Sequence, residues 1–143
     1  MARLKNNNDV LIIDTAAGIS DNVISLLLSS DEIFLVVSPE PTSIVDAYAV
    51  VKVVTELDRF KKFSVIANMV NDASEASELY LKLARATNKF LNKKIGTMGF
   101  ITKDNSIIKS VRHQVPVIIK YPDSTCSKDI IKISKKIIKK VKN

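Results

Sequence analysis

The chain has 143 residues, 46% of them hydrophobic and 26% charged, with a net charge of +7. That is enough for one domain with its own core and is not the composition of a disordered or low-complexity chain. No apolar run approaches the ~20 residues that span a bilayer. The polar opening Met1-Ala2-Arg3-Leu4-Lys5 gives no secretory signal, and the lone Cys126 excludes an internal disulfide or a zinc site built from several thiolates. These features together point to the reducing cytoplasm.

In chain order, Val10-Leu11-Ile12-Ile13 is continuously apolar, as in a strand covered on both faces, and the predicted strand ends at Asp14. A helix follows near Ser20–Ser29, with Ser20 as N-cap and Val23, Ile24, Leu27 and Leu28 on one face. The next predicted strand is Ile33–Ser38. Pro39 and Pro41 then stiffen a turn, and a helix starts at Thr42 or Ser43 with Ser43-x-x-Asp46 as its capping box. Its apolar stripe is Ile44, Tyr48, Val51 and Leu57. Strand Phe63–Met69 and a helix over about Ser74–Leu91 follow, the latter with Leu79, Leu83, Ala86 and Phe90 at helical spacing. Gly96–Ile101 reads as a strand, Asp104–Arg112 as a short capped helix and Val117–Ile119 as a short edge strand or extended segment. Ser127 is read as the cap of a last helix reaching about Val141. The alternation implies an α/β fold over residues 1–143, a single domain with an open parallel sheet flanked by helices on both faces.

Several residues sit where such a sheet binds ligands, and each has a plainer reading. An Asp at a strand's carboxyl end, here Asp14, is placed to coordinate a metal or merely to cap the next turn. Gly18 admits close approach of a phosphate to the backbone, or serves only as a turn residue. Ser38, Pro39 and Glu40 lie at a strand's carboxyl end, on the ligand-facing edge and within a proline-stiffened turn. Asn68 offers a side-chain amide, or starts an Asx turn. Asp104 is a good N-cap. His113, the only histidine, and Cys126 have no neighbours in sequence that make a metal or nucleophile pair, so no catalytic residue is assigned. The phosphate-loop pattern G-x-x-x-x-G-K-[ST] occurs nowhere.

Three stretches carry a family resemblance: Asp9-Val-Leu-Ile-Ile-Asp-Thr-Ala-Ala-Gly-Ile-Ser20, Val37-Ser-Pro-Glu-Pro-Thr-Ser-Ile-Val-Asp-Ala-Tyr48, and Gly99-Phe-Ile-Thr-Lys-Asp104 with Val111-Arg-His-Gln-Val-Pro116 and Tyr121-Pro122. They resemble the MinD/ParA group of deviant-P-loop ATPases, and within it the flagellar-number regulators of the FlhG/FleN or YlxH type. The first stretch resembles the Walker B and switch II segment, the third the surroundings of the adenine pocket. The resemblance covers the C-terminal half of a P-loop NTPase fold and implies a truncated relative or fragment of an ATP-binding regulator of flagellar number or placement. It implies ATP and Mg²⁺ as cofactors of a complete member. Asp14 would hold the metal, Gly18 would lie at the γ-phosphate, and Asn68, Ser38, Pro39, Glu40 and Asp104 would lie around the nucleotide. Thr102-Lys103 departs from the Ile-Pro pattern common beside the adenine. Without the phosphate loop, this chain alone is expected to bind no nucleotide tightly and to hydrolyse none. The alternative is a non-catalytic interaction module that binds a flagellar, polar or full-length ATPase partner.

The resemblance also implies that the strand leading into the phosphate loop lies between Val10–Asp14 and Ile33–Ser38. Without it, the two flanking strands either close up or leave a gap for a second copy or an N-terminal half supplied in trans, and self-association is expected. The last helix carries Ile130, Ile133, Ile137 and Val141 in one stripe, supported by Ile131 and Ile138, with Lys128, Lys132, Lys135, Lys136, Lys139, Lys140 and Lys142 around it. This fits either a core helix or a peripheral contact with the inner face of the cell membrane. The positive charge itself reads as an anionic partner or as the Lys, Ile and Asn bias of an AT-rich genome. No basic–aromatic interleaving accompanies it, so no nucleic-acid partner is expected.

Overall fold

The computed structural model describes residues 10–141, so the polar opening, Asp9 and Lys142 lie outside the described residues. Helices and strands alternate: α1 (Asp21–Ser29), β1 (Glu32–Val37), α2 (Pro41–Leu57), β2 (Lys62–Val70), α3 (Ala73–Leu91), β3 (Gly96–Thr102), α4 (Asn105–Arg112), α5 (Val117–Lys120) and α6 (Thr125–Val141). The strands form one parallel sheet in the order β1-β2-β3. β1 pairs with β2 in unbroken register from Glu32↔Lys62 to Val37↔Ala67. The β2–β3 ladder is interrupted twice, between Val65 and Ile66 and between Asn68 and Val70.

Each face of the sheet is packed by different helices. On one, Ile33, Leu35 and Val37 of β1 and Phe63, Val65 and Ala67 of β2 form the main core with buried side chains of α2 and α3, among them Val51, Val54, Leu79 and Leu83, and with Ile24 of α1. On the other, α6 packs on β3, where Ile133 is buried with Ile66 and Met98. Phe34, Ile101 and Ile137 are only partly buried there. The approach of α6 is close at Gly99, where a Cβ would lie 3.2 Å from Ile133 Cγ1 on a backbone at φ +145°. Asp129 of α6 is buried and accepts hydrogen bonds from the Thr102 N–H at 3.1 Å and hydroxyl at 2.7 Å, which tie the helix to the end of β3. Lys140 forms an ion pair with Glu32 of β1, whose carboxylate also accepts from the Ser64 hydroxyl at 2.6 Å. The Ile stripe of α6 therefore faces the sheet, while Ile131 and Ile138 remain exposed. Among the described residues, no helix is long and apolar enough to cross a membrane.

Four local expectations are corrected. Val10–Asp14 is not a strand: it has no regular structure and pairs with no strand among the described residues. Val10, Leu11 and Ile12 are exposed, Ile12 at 76%. An apolar β-branched run becomes a strand only where a partner takes its backbone groups, and no described strand lies beside it. Val117–Ile119 is helical, not extended, because Ile119 and Lys120 donate to the Pro116 carbonyl at 3.0 Å and Tyr121 donates to the Val117 carbonyl at 2.8 Å. These local bonds override the strand preference of Val and Ile. The capping box at Ser43 does not form: α2 begins at Pro41, and the Ser43 hydroxyl accepts from the Ser38 N–H at 3.0 Å. Proline suits that first position because its missing N–H is one the helix leaves unpaired. Ser127 is not the cap of α6, since its N–H donates to the Ser124 hydroxyl at 3.3 Å and its own hydroxyl to the Tyr121 carbonyl at 2.8 Å.

The attachment of α6 gives a test. Asp129→Ala leaves the end of β3 without its carboxylate partner and is expected to cost about 2 kcal/mol, whereas Ile138→Ala, on the exposed face, should change stability by less than ~0.5 kcal/mol. Urea unfolding of the two variants measures both values; equal losses would contradict the packing described.

Candidate functional site

The carboxyl ends of parallel strands are where an open α/β sheet leaves a crevice, because the chain departs there in different directions to reach its helices. Here the ends of β1 and β2 and the loop after β3 frame a shallow depression of about 370 Å³. Ser38, Pro39, Glu40 and Pro41 form one wall, and Met69, Asn71, Glu75 and Lys103 the other. The wall from β1 is stiff for local reasons: two prolines flank Glu40, and the Ser38 N–H is held by the Ser43 hydroxyl. The opposite wall is fixed by a cap at the start of α3, where Asp72 accepts from the Glu75 N–H at 2.9 Å and the Glu75 carboxylate accepts from the Asn71 N–H at 2.6 Å. Lys103 is tied to β2 through its N–H, which donates to the Val70 carbonyl at 2.8 Å.

Met69 was not singled out by sequence reasoning, yet it is the most unusual residue of the site. It lies at the second interruption of the β2–β3 ladder, at φ +61°, and half of its side chain is exposed. A non-glycine residue in this region is strained, and such strain collects where a chain positions groups for a ligand. The only advance signal was that Met follows Asn at a strand end, and that signal does not predict a left-handed backbone.

Of the residues read from the sequence, the structure brings Ser38, Pro39 and Glu40 into this depression, together with Met69, Glu75 and Lys103. Asn68 lies beside it as the last regularly paired residue of β2 before the interruption, opposite Ile101. Asp14 and Gly18 are not among its lining residues. Both are exposed, and Gly18 has φ +102° with open space around its Cα, a conformation few other residues accept. Asp104 is the N-cap of α4: its carboxylate accepts from the Ser106 N–H at 2.8 Å and from the Cys126 N–H at 3.4 Å. The bonds from the Ser106 backbone and hydroxyl hold its carboxyl below the usual Asp range. The cap therefore contributes fully at neutral pH and weakens as acid protonates it.

Asp14 offers one exposed carboxylate, and Mg²⁺ accepts one or two carboxylates with water and phosphate filling the rest of its shell. No cluster of three or more His, Cys, Asp or Glu side chains that would hold a metal by itself occurs among the described residues.

The sequence profile of the ParA family, described as NUBPL iron-transfer P-loop NTPase, matches residues 4–138. The chain belongs to the ParA family of P-loop NTPases. Among curated proteins, this ParA-family chain is similar to the antiactivator FleN of Pseudomonas aeruginosa, with 38% identity over 94% of the chain and 48% of FleN. It is 31% identical to an uncharacterized ATP-binding protein of Methanocaldococcus jannaschii, over 91% of the chain and 46% of that protein. It is 28% identical to the flagellum site-determining protein YlxH of Helicobacter pylori, over 93% of the chain and 45% of YlxH. The chain spans about half the length of the curated relatives it matches. The parallel sheet flanked by helices is that of a Rossmann-like P-loop NTPase fragment.

Strain at Met69 is measurable. Glycine accepts φ +61° without a Cβ clash, so Met69→Gly is expected to raise stability by about 0.5–1 kcal/mol. The same change at the neighbouring buried Val70 should cost more than ~2 kcal/mol. A loss at Met69 comparable with that at Val70, in urea unfolding, would show that position 69 is held by packing and is not strained.

Proposed function

We propose that this chain is part of a ParA-type ATP-binding regulator of flagellar number or placement, carrying the switch and base-facing portions of the nucleotide site, and that by itself it hydrolyses no ATP. The observation that carries this reading is the 38% identity to an antiactivator, FleN, across 94% of the chain. In this reading Asp14 meets the magnesium ion, Gly18 lies at the terminal phosphate, and Ser38, Pro39, Glu40 and Asn68 border the nucleotide, with Met69 and Lys103 completing the wall. Asp104 acts there by shaping the loop after β3, since its oxygens are engaged in capping α4.

Phosphoryl transfer depends on positioning and on neutralising charge at the phosphates, and a lysine-bearing phosphate loop supplies most of both. That loop pattern is not in this sequence. The exposed Asp14 and the shallow strand-end depression fit a site that needs groups from elsewhere to be complete. A second reading, a non-catalytic interaction module, is supported by the edge of β1 that carries no strand among the described residues; the two are compatible if the module docks to a complete ATPase.

Isothermal titration with Mg-ATP, together with a phosphate-release assay on the chain alone, tests the proposal. No turnover is expected, and only very weak binding. Low-micromolar affinity or sustained phosphate release would contradict it.

A further inference from the structure

α4 ends in a turn that leaves a groove beside the helix. The Val115 N–H donates to the Ser110 carbonyl at 3.2 Å and the Gln114 N–H to the Val111 carbonyl at 3.0 Å, with Gln114 left-handed at φ +53°. This pair of bonds folds the chain back on the helix it has just left. The returning Val115-Pro116-Val117 and α4 flank a groove of about 510 Å³, whose apolar walls include Ile107, Val111, Val115 and Val117. The Ser110 hydroxyl, also in the lining, is spent on the Ile107 carbonyl at 2.8 Å. The groove shares no residue with the strand-end depression. Its two helices also expose Ile108 (57%) and Val111 (69%) from α4, and Ile118 (43%) and Ile119 (69%) from α5. Single exposed aliphatic side chains are ordinary, but a group of them beside a groove marks a contact surface.

We infer that this groove docks an acidic amphipathic helix of another protein. Apolar residues at i, i+3, i+4 and i+7 of that helix lie between α4 and the Val115–Val117 return, and its carboxylates meet the cations on the rim. The groove lies outside the strand-end depression, so the inference adds a partner surface and does not depend on the ATP-binding reading.

Charge selects the occupant. From Asn105 to Pro122 the sequence has no Asp or Glu, but it has Lys109, Arg112 and Lys120. All three are exposed, and none forms an ion pair among the described residues. Uncompensated cations beside an apolar groove attract an acidic partner and repel a basic one. That disfavours a second copy of this chain, whose net charge is +7. Shape separates a helix from a lipid surface. A membrane-facing patch pushes its apolar side chains outward into the acyl boundary, and a recess there stays unfilled. The side chains of a docked helix fill it.

The test titrates the chain, without nucleotide, with two designed helical peptides. Both carry Leu at i, i+3, i+4 and i+7; one has Glu and the other Lys at the remaining exposed positions. The Glu peptide is expected to bind one-to-one, and the Lys peptide about tenfold more weakly or worse. Val111→Gln and Arg112→Gln, both at exposed positions, should leave the unfolding midpoint unchanged, and Val111→Gln should weaken the Glu peptide about tenfold. Lys89→Gln on α3, outside the groove, should leave its binding unaltered, whereas Arg112→Gln should weaken it. Equal affinity for the two peptides, or no binding of the Glu peptide, would overturn the inference. So would a complex indifferent to Val111→Gln, or equal losses with Lys89→Gln and Arg112→Gln. Two further results would replace the occupant and so contradict the inference. One is a dimer of the chain alone that Val111→Gln converts to monomer. The other is binding to phosphatidylglycerol vesicles that Val111→Gln abolishes.

Discussion

The pairing of β2 on both of its edges is the constraint on which the rest of the structure depends. Phe63 through Ala67 are all buried, so this strand takes part in the cores on both faces of the sheet. Parallel strands require covered faces, because every second residue on either side would otherwise meet water. α2 and α3 cover one face and α6 the other, and α6 is brought within contact distance by the absence of a side chain at Gly99. Any change that loosens β2 would release both layers together.

The same pairing gathers the candidate site. With the strands parallel, their carboxyl ends come to one side, and Ser38–Pro41, Met69, Asn71 and Lys103 meet around one depression. Rigid supports stand behind each wall: the Ser38–Ser43 hydrogen bond, the Asp72–Glu75–Asn71 cap and the Lys103–Val70 backbone bond. Only Met69 is strained among them. Asp14 and Gly18 have no comparable support, because among the described residues no strand pairs with the segment that carries them.

Much of the fold was legible in the sequence because its signals are local. The strand Phe63–Met69 is a largely apolar run, and the helix after it has strong spacing at Leu79 and Leu83. The observed β2 and α3 differ from those readings by a residue or so at each end. Phe90 was read into the helical stripe but is exposed, since Thr87 takes the buried position one turn earlier. The misses have non-local causes. Val10–Asp14 has every local property of a buried strand, but strand formation depends on a neighbour, and composition cannot report whether one is present. Val117–Ile119 failed in the opposite sense, with local hydrogen bonds to the Pro116 carbonyl winning over β-branched preference. At the site, Ser38, Pro39 and Glu40 could be read because prolines after an apolar run mark a strand end. Met69 could not, because its place in the wall follows from a break in the β2–β3 ladder, which leaves no mark in the residue types. Asp14 and Gly18 were named by the family resemblance alone, and neither lines the strand-end depression.

The central claim is that, among the described residues, β1 is an open edge in a sheet whose middle strand is paired on both sides. Amide hydrogen exchange on the isolated chain, resolved by residue, tests it most directly. The account predicts strong protection through Phe63–Ala67, and in β1 an alternation between slow amides that face β2 and fast amides that face the open edge. Uniform slow exchange along Glu32–Val37, at concentrations where the chain is monomeric, would show that the edge is already paired within the chain and would contradict the account.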